Sequence, residues 1–255
     1  MFINTIDPIL FSYGFLTIRW YGIFLGVGVG LGLFVLTKIA QKKNINIEQI
    51  LSLALWLIVG GLIGARLGHI IFYNLDYFLT NPLEVIMINH GGLSSHGMAI
   101  GLIVTFLIII QAKKIAWREL INLLVIPIPL IAGFIRIGNF FNSEIVGKAS
   151  TLPWAVQFPL YETNPIFRHP SQIYEALIAF TIFGILLFIQ FRSRSLSSMK
   201  LTSFFIFLYF TSRFLIEFIK EYPTYAGLSM GQWLSIPFIL FSIIFLLSKR
   251  QKFWF

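Results

Sequence analysis

The chain has 255 residues, of which 57% are hydrophobic and only 11% charged, and its mean hydropathy of +0.85 lies far from that of a soluble globular domain. Cysteine is absent, which excludes disulfides, thiolate metal sites and a cysteine nucleophile but leaves the compartment open. A net charge of +9 would suggest nucleic acid in a soluble protein, yet most of the Lys and Arg fall in four groups that each follow an apolar run.

Those groups are Lys38/Lys42/Lys43, Lys113/Lys114/Arg118, Arg192/Arg194/Lys200 and Lys249/Arg250/Lys252. They alternate with gaps near Asp76 and Glu84, Glu144 and Glu162, and Glu221, which hold most of the acids. This is the positive-inside pattern. It places the basic groups in the cytoplasm and the other loops outside, and it assigns no nucleic acid as partner. The predicted fold is an all-α polytopic membrane protein: one helical domain over residues 1–255, with its N-terminus outside and its C-terminus cytoplasmic.

The start, Met1 to Tyr13, carries Asp7 and Pro8 but no Lys or Arg, so it lacks the basic region of a cleavable signal peptide. It is expected outside. Seven runs then approach the roughly 20 residues needed to span a bilayer: 16–37, 50–73, 97–112, 119–140, 171–191, 201–219 and 232–248. Gly22, Gly26 and Gly30 in the first, and Gly60, Gly64 and Gly68 in the second, recur every four residues and predict flat faces for close helix packing. Trp20 and Tyr21 suit an aromatic belt at the outer interface. Arg66, His69 and Tyr73 share one helical face, placed either to snorkel or to serve a site.

Residues 74–96 turn mixed in composition, with Asn81-Pro82 and Gly91-Gly92 as breakers, and predict an outer arm. The arm leads into His90-Gly-Gly-Leu-Ser94-Ser95-His96-Gly97, whose glycines would let backbone N–H groups approach a ligand. A serine hydrolase is a minor reading of this Ser/His pairing, because no Asp stands near enough in sequence to orient a base. Pro127 and Pro129 predict a kink in the fourth run, which delivers Arg136 to the outer half of the membrane. Residues 141–170, rich in polar groups and proline, predict an outer cap. Pro170 suits the first turn of the fifth helix, where Ser171, Gln172, Tyr174 and Glu175 bring further polar groups to that level.

Two stretches carry the chemistry. The first is Arg136-Ile-Gly-Asn139-Phe-Phe-Asn142-Ser-Glu144-Ile-Val-Gly147. The second is Tyr209-Phe-Thr-Ser-Arg213-Phe-Leu-Ile-Glu217, in which Tyr209, Arg213 and Glu217 stack on one helical face. A central Arg costs roughly 2.5 to 3.5 kcal/mol on insertion scales, so an intramembrane Arg points to function and to a partner. Arg213 has two readings, an ion pair with Glu217 or a second cation facing Arg136. Two arginines at one depth suit a phosphate, which the guanidinium fork grips bidentately. No metal-ligand spacing and no Gly-rich loop ending in Lys-Ser/Thr occurs, so no metal and no nucleotide cofactor is implied. The phosphate is therefore expected to belong to a lipid, either chemically displaced or merely carried. A lipid flippase is the main alternative, although no internal repeat of the transporter kind is found.

Several ordered pieces resemble the bacterial prolipoprotein diacylglyceryl transferase family over nearly the whole chain. They are Trp20-Tyr21-Gly22, Gly64-Ala-Arg66-Leu-Gly, Phe72-Tyr73-Asn74, Gly91-Gly-Leu-Ser-Ser-His96-Gly97, the Arg136 to Gly147 stretch, Arg168-His-Pro-Ser-Gln172-Ile-Tyr-Glu175, Arg213 with Glu217, and Ser229-Met-Gly-Gln232-Trp-Leu-Ser-Ile-Pro237. Departures from the family pattern are Phe134-Ile135 and Ser143, where glycine is usual before and within the Arg136 motif, and Ser95 in place of a common Phe.

The resemblance implies transfer of the diacylglyceryl group of phosphatidylglycerol to the thiol of the lipobox cysteine of a prolipoprotein signal peptide. A thioether forms and glycerol 1-phosphate leaves, without cofactor or metal, in the first step of lipoprotein maturation. It implies a bacterial cytoplasmic (inner) membrane location with the active site toward the periplasmic half, among membrane lipids. On this reading Arg136 and Arg213 hold the phosphate and His96 is the candidate base for the thiol, or a donor to a glyceryl hydroxyl. Tyr21, Asn139, Glu144, Gly147 and Tyr209 are expected at the lipid, with Arg66, Asn142, Gln172 and Glu217 in support.

Overall fold

The computed structural model describes residues 2–14, 16–87, 92–113, 117–192 and 198–248. His90 and Gly91 of the glycine-rich motif lie outside the described residues, as do Lys114, Arg194, Lys249, Arg250 and Lys252 of the basic groups. The chain is mostly helical and divides into two compact units, one made of Met1–Leu36 and Ile121–Phe255, the other of Thr37–Leu120.

In the first unit, strand β1 (Phe2–Ile3) precedes a hairpin of β2 (Ile9–Tyr13) and β3 (Leu16–Arg19). The first predicted span therefore begins too early at residue 16. Gly14 takes φ +56° at the turn, a left-handed conformation that glycine adopts without strain, and the Leu-Thr-Ile alternation that follows suits a strand. Helix α1 then runs Trp20–Lys42, beyond the predicted end at 37. Its packed glycines also differ from the expected set. Gly28 and Gly32 face Ile131, Phe134 and Pro127, whereas a Cβ on Gly22, Gly26 or Gly30 would meet no atom within 4 Å.

The fourth run is two helices, α5 (Trp117–Leu124) and α6 (Pro127–Phe141). Pro127 opens α6 at a position where a missing N–H costs nothing. Between α6 and α7 (Ser171–Arg192) the polar segment folds back on itself through β4 (Val156–Gln157) and β5 (Phe167–Arg168). β4 pairs antiparallel with β5 and, on its other edge, parallel with β1. The N-terminus is thus a strand of the cap. Asn4, fully buried, donates from Nδ2 to Phe140 O at 2.9 Å and to Ser143 Oγ at 3.2 Å. Val146, Val156 and Phe158 form the cap's small core, with Phe140 against it.

Helix α8 (Ser198–Ile216) ends in a 3₁₀ turn, Glu217–Ile219. A short hairpin of β6 (Thr224–Tyr225) and β7 (Leu228–Ser229) leads into α9 (Met230–Leu247), capped by the reciprocal bonds of Ser229 and Gln232. Helix α7 packs against α6 and α8, and α9 against α8.

In the second unit, α2 (Ile47–Tyr73) packs along α4 (Ser95–Lys113). Gly60, Gly64 and Gly68 line this contact, and a Cβ on Gly68 would lie 2.5 Å from Gly97 Cα. Only glycine on both sides permits that approach. The arm between them holds α3 (Leu75–Thr80) and a 3₁₀ turn, Pro82–Ile86. Ser95 and His96, expected in the arm, instead open α4.

Among the described residues six helical segments are long and apolar enough to cross a membrane: α1, α2, Ile121–Phe141, α7, Lys200–Ile219 and α9. The predicted run 97–112 forms a shorter apolar helix, His96–Ala112. The chain is a multi-pass membrane protein.

Candidate active site

Three helices of the first unit bring the key charges together. Arg136 comes from the last turns of α6, Glu175 from the second turn of α7, and Tyr209 and Arg213 from α8. They line a small open pocket whose remaining walls include Ala132, Ile178, Ala179 and Ile182. Its lining is therefore part charged and part aliphatic.

Glu175 is the hub of the charged part. Its Oε2 lies 3.2 Å from Arg136 Nε and its Oε1 lies 3.6 Å from Arg213 Nη1. Lys220, just past the 3₁₀ turn and with no exposed side-chain surface, donates from Nζ to Glu175 Oε1 at 2.8 Å. Arg213 Nη2 also sits 2.8 Å from Glu217 Oε1, one helical turn on. Glu217 is in turn fixed by Ser229 Oγ, which donates to its Oε2 at 2.8 Å. Arg213 is thus ion-paired with Glu217 and lies across Glu175 from Arg136. Lys220 and Glu217, with almost no exposed side-chain surface, persist as charges only when paired.

The loop after α6 supplies a second acidic arm. Arg136 Nη1 donates to Asn139 Oδ1 at 3.3 Å, and Asn139 Nδ2 donates to Glu144 Oε2 at 3.0 Å. Asn142 Nδ2 donates to the other oxygen, Oε1, at 3.1 Å. Gln172, fully buried at the start of α7, donates to the Glu144 carbonyl at 2.6 Å, and Ser171 Oγ donates to the Ile145 carbonyl at 2.7 Å. This anchoring holds a strained backbone: Ser143 has φ +55° and Ile145 φ +56°. A β-branched residue rarely adopts that conformation. Ser143 stands where glycine is usual in the resembling family, and its backbone takes the conformation that favours glycine.

Tyr21, near the start of α1, packs against Gly138, where a Cβ would come within 2.9 Å of its ring. Gly147 does not line the cavity. It is buried, donating its N–H to His169 O at 3.0 Å, and a Cβ there would meet His169 and Ile219 O. Beside it, Arg168 binds Glu162 through Nε and Nη2, at 2.5 and 2.8 Å, and Glu221 through Nη1 at 2.6 Å. These hydrogen bonds from Arg168 hold the Glu162 carboxyl below its usual range, although partial burial opposes the shift.

Arg66 and His96 belong to the second unit. Arg66 is 93% buried rather than snorkelling: it donates to the carbonyls of Glu84, Val85, Met87 and Gly92 and so ties the arm to α2. His69 stacks on Tyr73 at 5.7 Å. His96 is exposed in the first turn of α4. Sequence reasoning noted Glu175 only as a polar group at the right level and passed over Lys220. The available signal for Lys220 was its spacing, three residues after Glu217 and seven after Arg213; Glu175 had no such signal.

The fold is that of a multi-pass membrane protein, and its pocket joins two paired arginines to aliphatic walls. The prolipoprotein diacylglyceryl transferase family model matches residues 8–248. The phosphatidylglycerol–prolipoprotein diacylglyceryl transferase of Tolumonas auensis is 37% identical over 254 residues, covering 96% of this chain and 97% of its own. Those of Chloroherpeton thalassium, 37% identical with 96% and 93% coverage, and Geobacter sulfurreducens, 35% identical with 96% and 97% coverage, bear the same name. The chain belongs to the prolipoprotein diacylglyceryl transferase family.

Proposed function

We propose that this protein transfers the diacylglyceryl group of phosphatidylglycerol to a prolipoprotein, the first step of lipoprotein maturation. Family membership supports the reaction, and the pair of arginines in a pocket with aliphatic walls supports the lipid. The acceptor is the thiol of the lipobox cysteine. Its sulfur attacks the glyceryl carbon that bears the phosphate ester; the S–C bond forms as the C–O bond breaks. The electron pair leaves with glycerol 1-phosphate, and the thiol proton passes to His96.

Arg136 and Arg213 hold the phosphate and stabilise the charge that grows on it as it leaves. Asn139 and Glu144 orient Arg136, and Glu217 orients Arg213. Tyr21 and Tyr209 contact the lipid. A thiol of ordinary pKa near 8.5 is mostly protonated at neutral pH, which is why a base is required. The chain's own residues supply this chemistry without a cofactor.

The reading extends to topology. Helix α4, at 19 residues and roughly 28 Å, serves as a seventh crossing of a hydrocarbon layer about 30 Å thick. An odd number puts the N-terminus outside and the C-terminus in the cytoplasm, with the basic groups inside. The active site then faces the periplasmic half of the bacterial cytoplasmic membrane.

The test uses purified protein in detergent with phosphatidylglycerol and a synthetic lipobox peptide. Glycerol phosphate release that requires the peptide's Cys, with a diacylglyceryl gain in peptide mass, is the expected result. Lipid binding without any phosphate release, under conditions that preserve the fold, would favour a flippase.

A further inference from the structure

The two arginines proposed to take the lipid phosphate are not idle without it. Glu175 already lies against both, within the same cavity. Its three contacts differ in kind. To Lys220 it accepts a hydrogen bond of ordinary length, 2.8 Å. To Arg213 the separation is 3.6 Å, too long for a hydrogen bond. Toward Arg136 the atoms approach to 3.2 Å, yet Glu175 Oε2 has no hydrogen-bond partner among the described residues. The carboxylate is therefore bonded to the lysine and merely neutralises the arginines.

We infer that Glu175 is an internal stand-in for the substrate's phosphate, and that Lys220 is the positioning residue that retains it when the phosphate arrives. The inference rests on the assignment of Arg136 and Arg213 to the phosphate. Glu175 balances two guanidiniums that are 20% and 29% exposed. A phosphate, with more oxygens and a geometry matched to the forks, displaces it from both. Glu175 then remains paired with Lys220, so no carboxylate is left buried and alone. When the product leaves, Glu175 returns to the arginines and helps to expel it. A ligand that must compete with an internal partner binds more weakly by the fraction of sites already free. Removing that partner tightens binding.

The experiment is equilibrium titration of the purified full-length protein in detergent with sn-glycerol 1-phosphate. Glu175→Gln keeps size and an acceptor for Lys220 but loses the charge. It is expected to bind glycerol phosphate about tenfold more tightly than wild type, and to show stronger product inhibition in turnover. Lys220→Gln leaves Glu175 to the arginines and is expected to bind several-fold more weakly. In the Glu175→Gln background the same lysine change is expected to alter affinity less than twofold. A Glu175 with a purely structural role would give equal or weaker binding in Glu175→Gln, and that result overturns the inference. If Glu175→Gln fails to hold its melting temperature, Lys220→Gln decides alone: weaker binding supports the inference and unchanged binding overturns it. Arg136→Gln and Arg213→Gln serve as the control for the underlying assignment. If both bind glycerol phosphate like wild type, the phosphate lies elsewhere and that assignment fails. If both lose binding while Glu175→Gln does not tighten it, only the stand-in role fails.

Discussion

Gly231 stands so close to Glu217 that a Cβ on it would lie 2.8 Å from the carboxylate carbon and about as near both oxygens. The first turn of α9 thus leaves room for the side chain that anchors Arg213. Gly231→Ala is expected to push Glu217 away from Ser229 and loosen Arg213. Overpacking of this kind costs about 1–3 kcal/mol, and the displaced arginine should lower kcat/KM about tenfold or more. Kinetics and melting temperature measured together check this; values near wild type in both would show that the carboxylate has room to move.

His96→Gln keeps a hydrogen-bond donor but no useful base. A general base contributes typically about 10²–10⁴-fold, so turnover should fall within that range at neutral pH and recover in part as pH rises toward the thiol pKa. Near-normal turnover in this variant would leave His96 only a donor's role.

The Glu162–Arg168 pair makes the cap sensitive to acid. The folded carboxyl lies below its unfolded value, so the stability it contributes is present above the ordinary carboxylate range and is lost as pH falls through the lowered value. The melting temperature of wild type should exceed that of Glu162→Gln at neutral pH, with the gap closing as pH falls below the ordinary carboxylate range. A gap that does not change with pH would refute the linkage.

Ser143 spends stability on a backbone that glycine would adopt freely. Ser143→Gly loses the bond from Asn4 but relieves a left-handed conformation worth about 1–2 kcal/mol. Ser143→Ala loses the bond and keeps the strain. The glycine variant should therefore be more stable than the alanine variant by about 1 kcal/mol, read from melting temperatures; the reverse order would contradict the assigned geometry.

Much of this architecture was legible because hydrocarbon is an unforgiving solvent. Runs of apolar residues with basic ends announce helices, and arginines such as Arg136 and Arg213 stand out where charge is costly. Pro127 marked the break between α5 and α6 for the same local reason that it opens a helix. Contacts between distant segments were not legible. Nothing near Phe2 signals that it pairs with Val156, because strand pairing is a long-range choice. Glu175 looked like one polar residue among several in the first turns of α7. Its importance arises from α6, α8 and the residue after the 3₁₀ turn placing three cations around it, a relationship without any sequence spacing to read. The placement of Arg66 stayed open for a related reason: its partners are backbone carbonyls of the arm, which leave no side-chain signature.

The central claim is that both arginines grip the departing phosphate. The most direct measurement is glycerol phosphate release from phosphatidylglycerol by Arg136→Lys and Arg213→Lys, with a lipobox peptide as acceptor. Lysine keeps the charge but loses the fork. The account predicts a fall of about 10²-fold or more in kcat/KM for each variant with the fold intact. Turnover within twofold of wild type in both would contradict it.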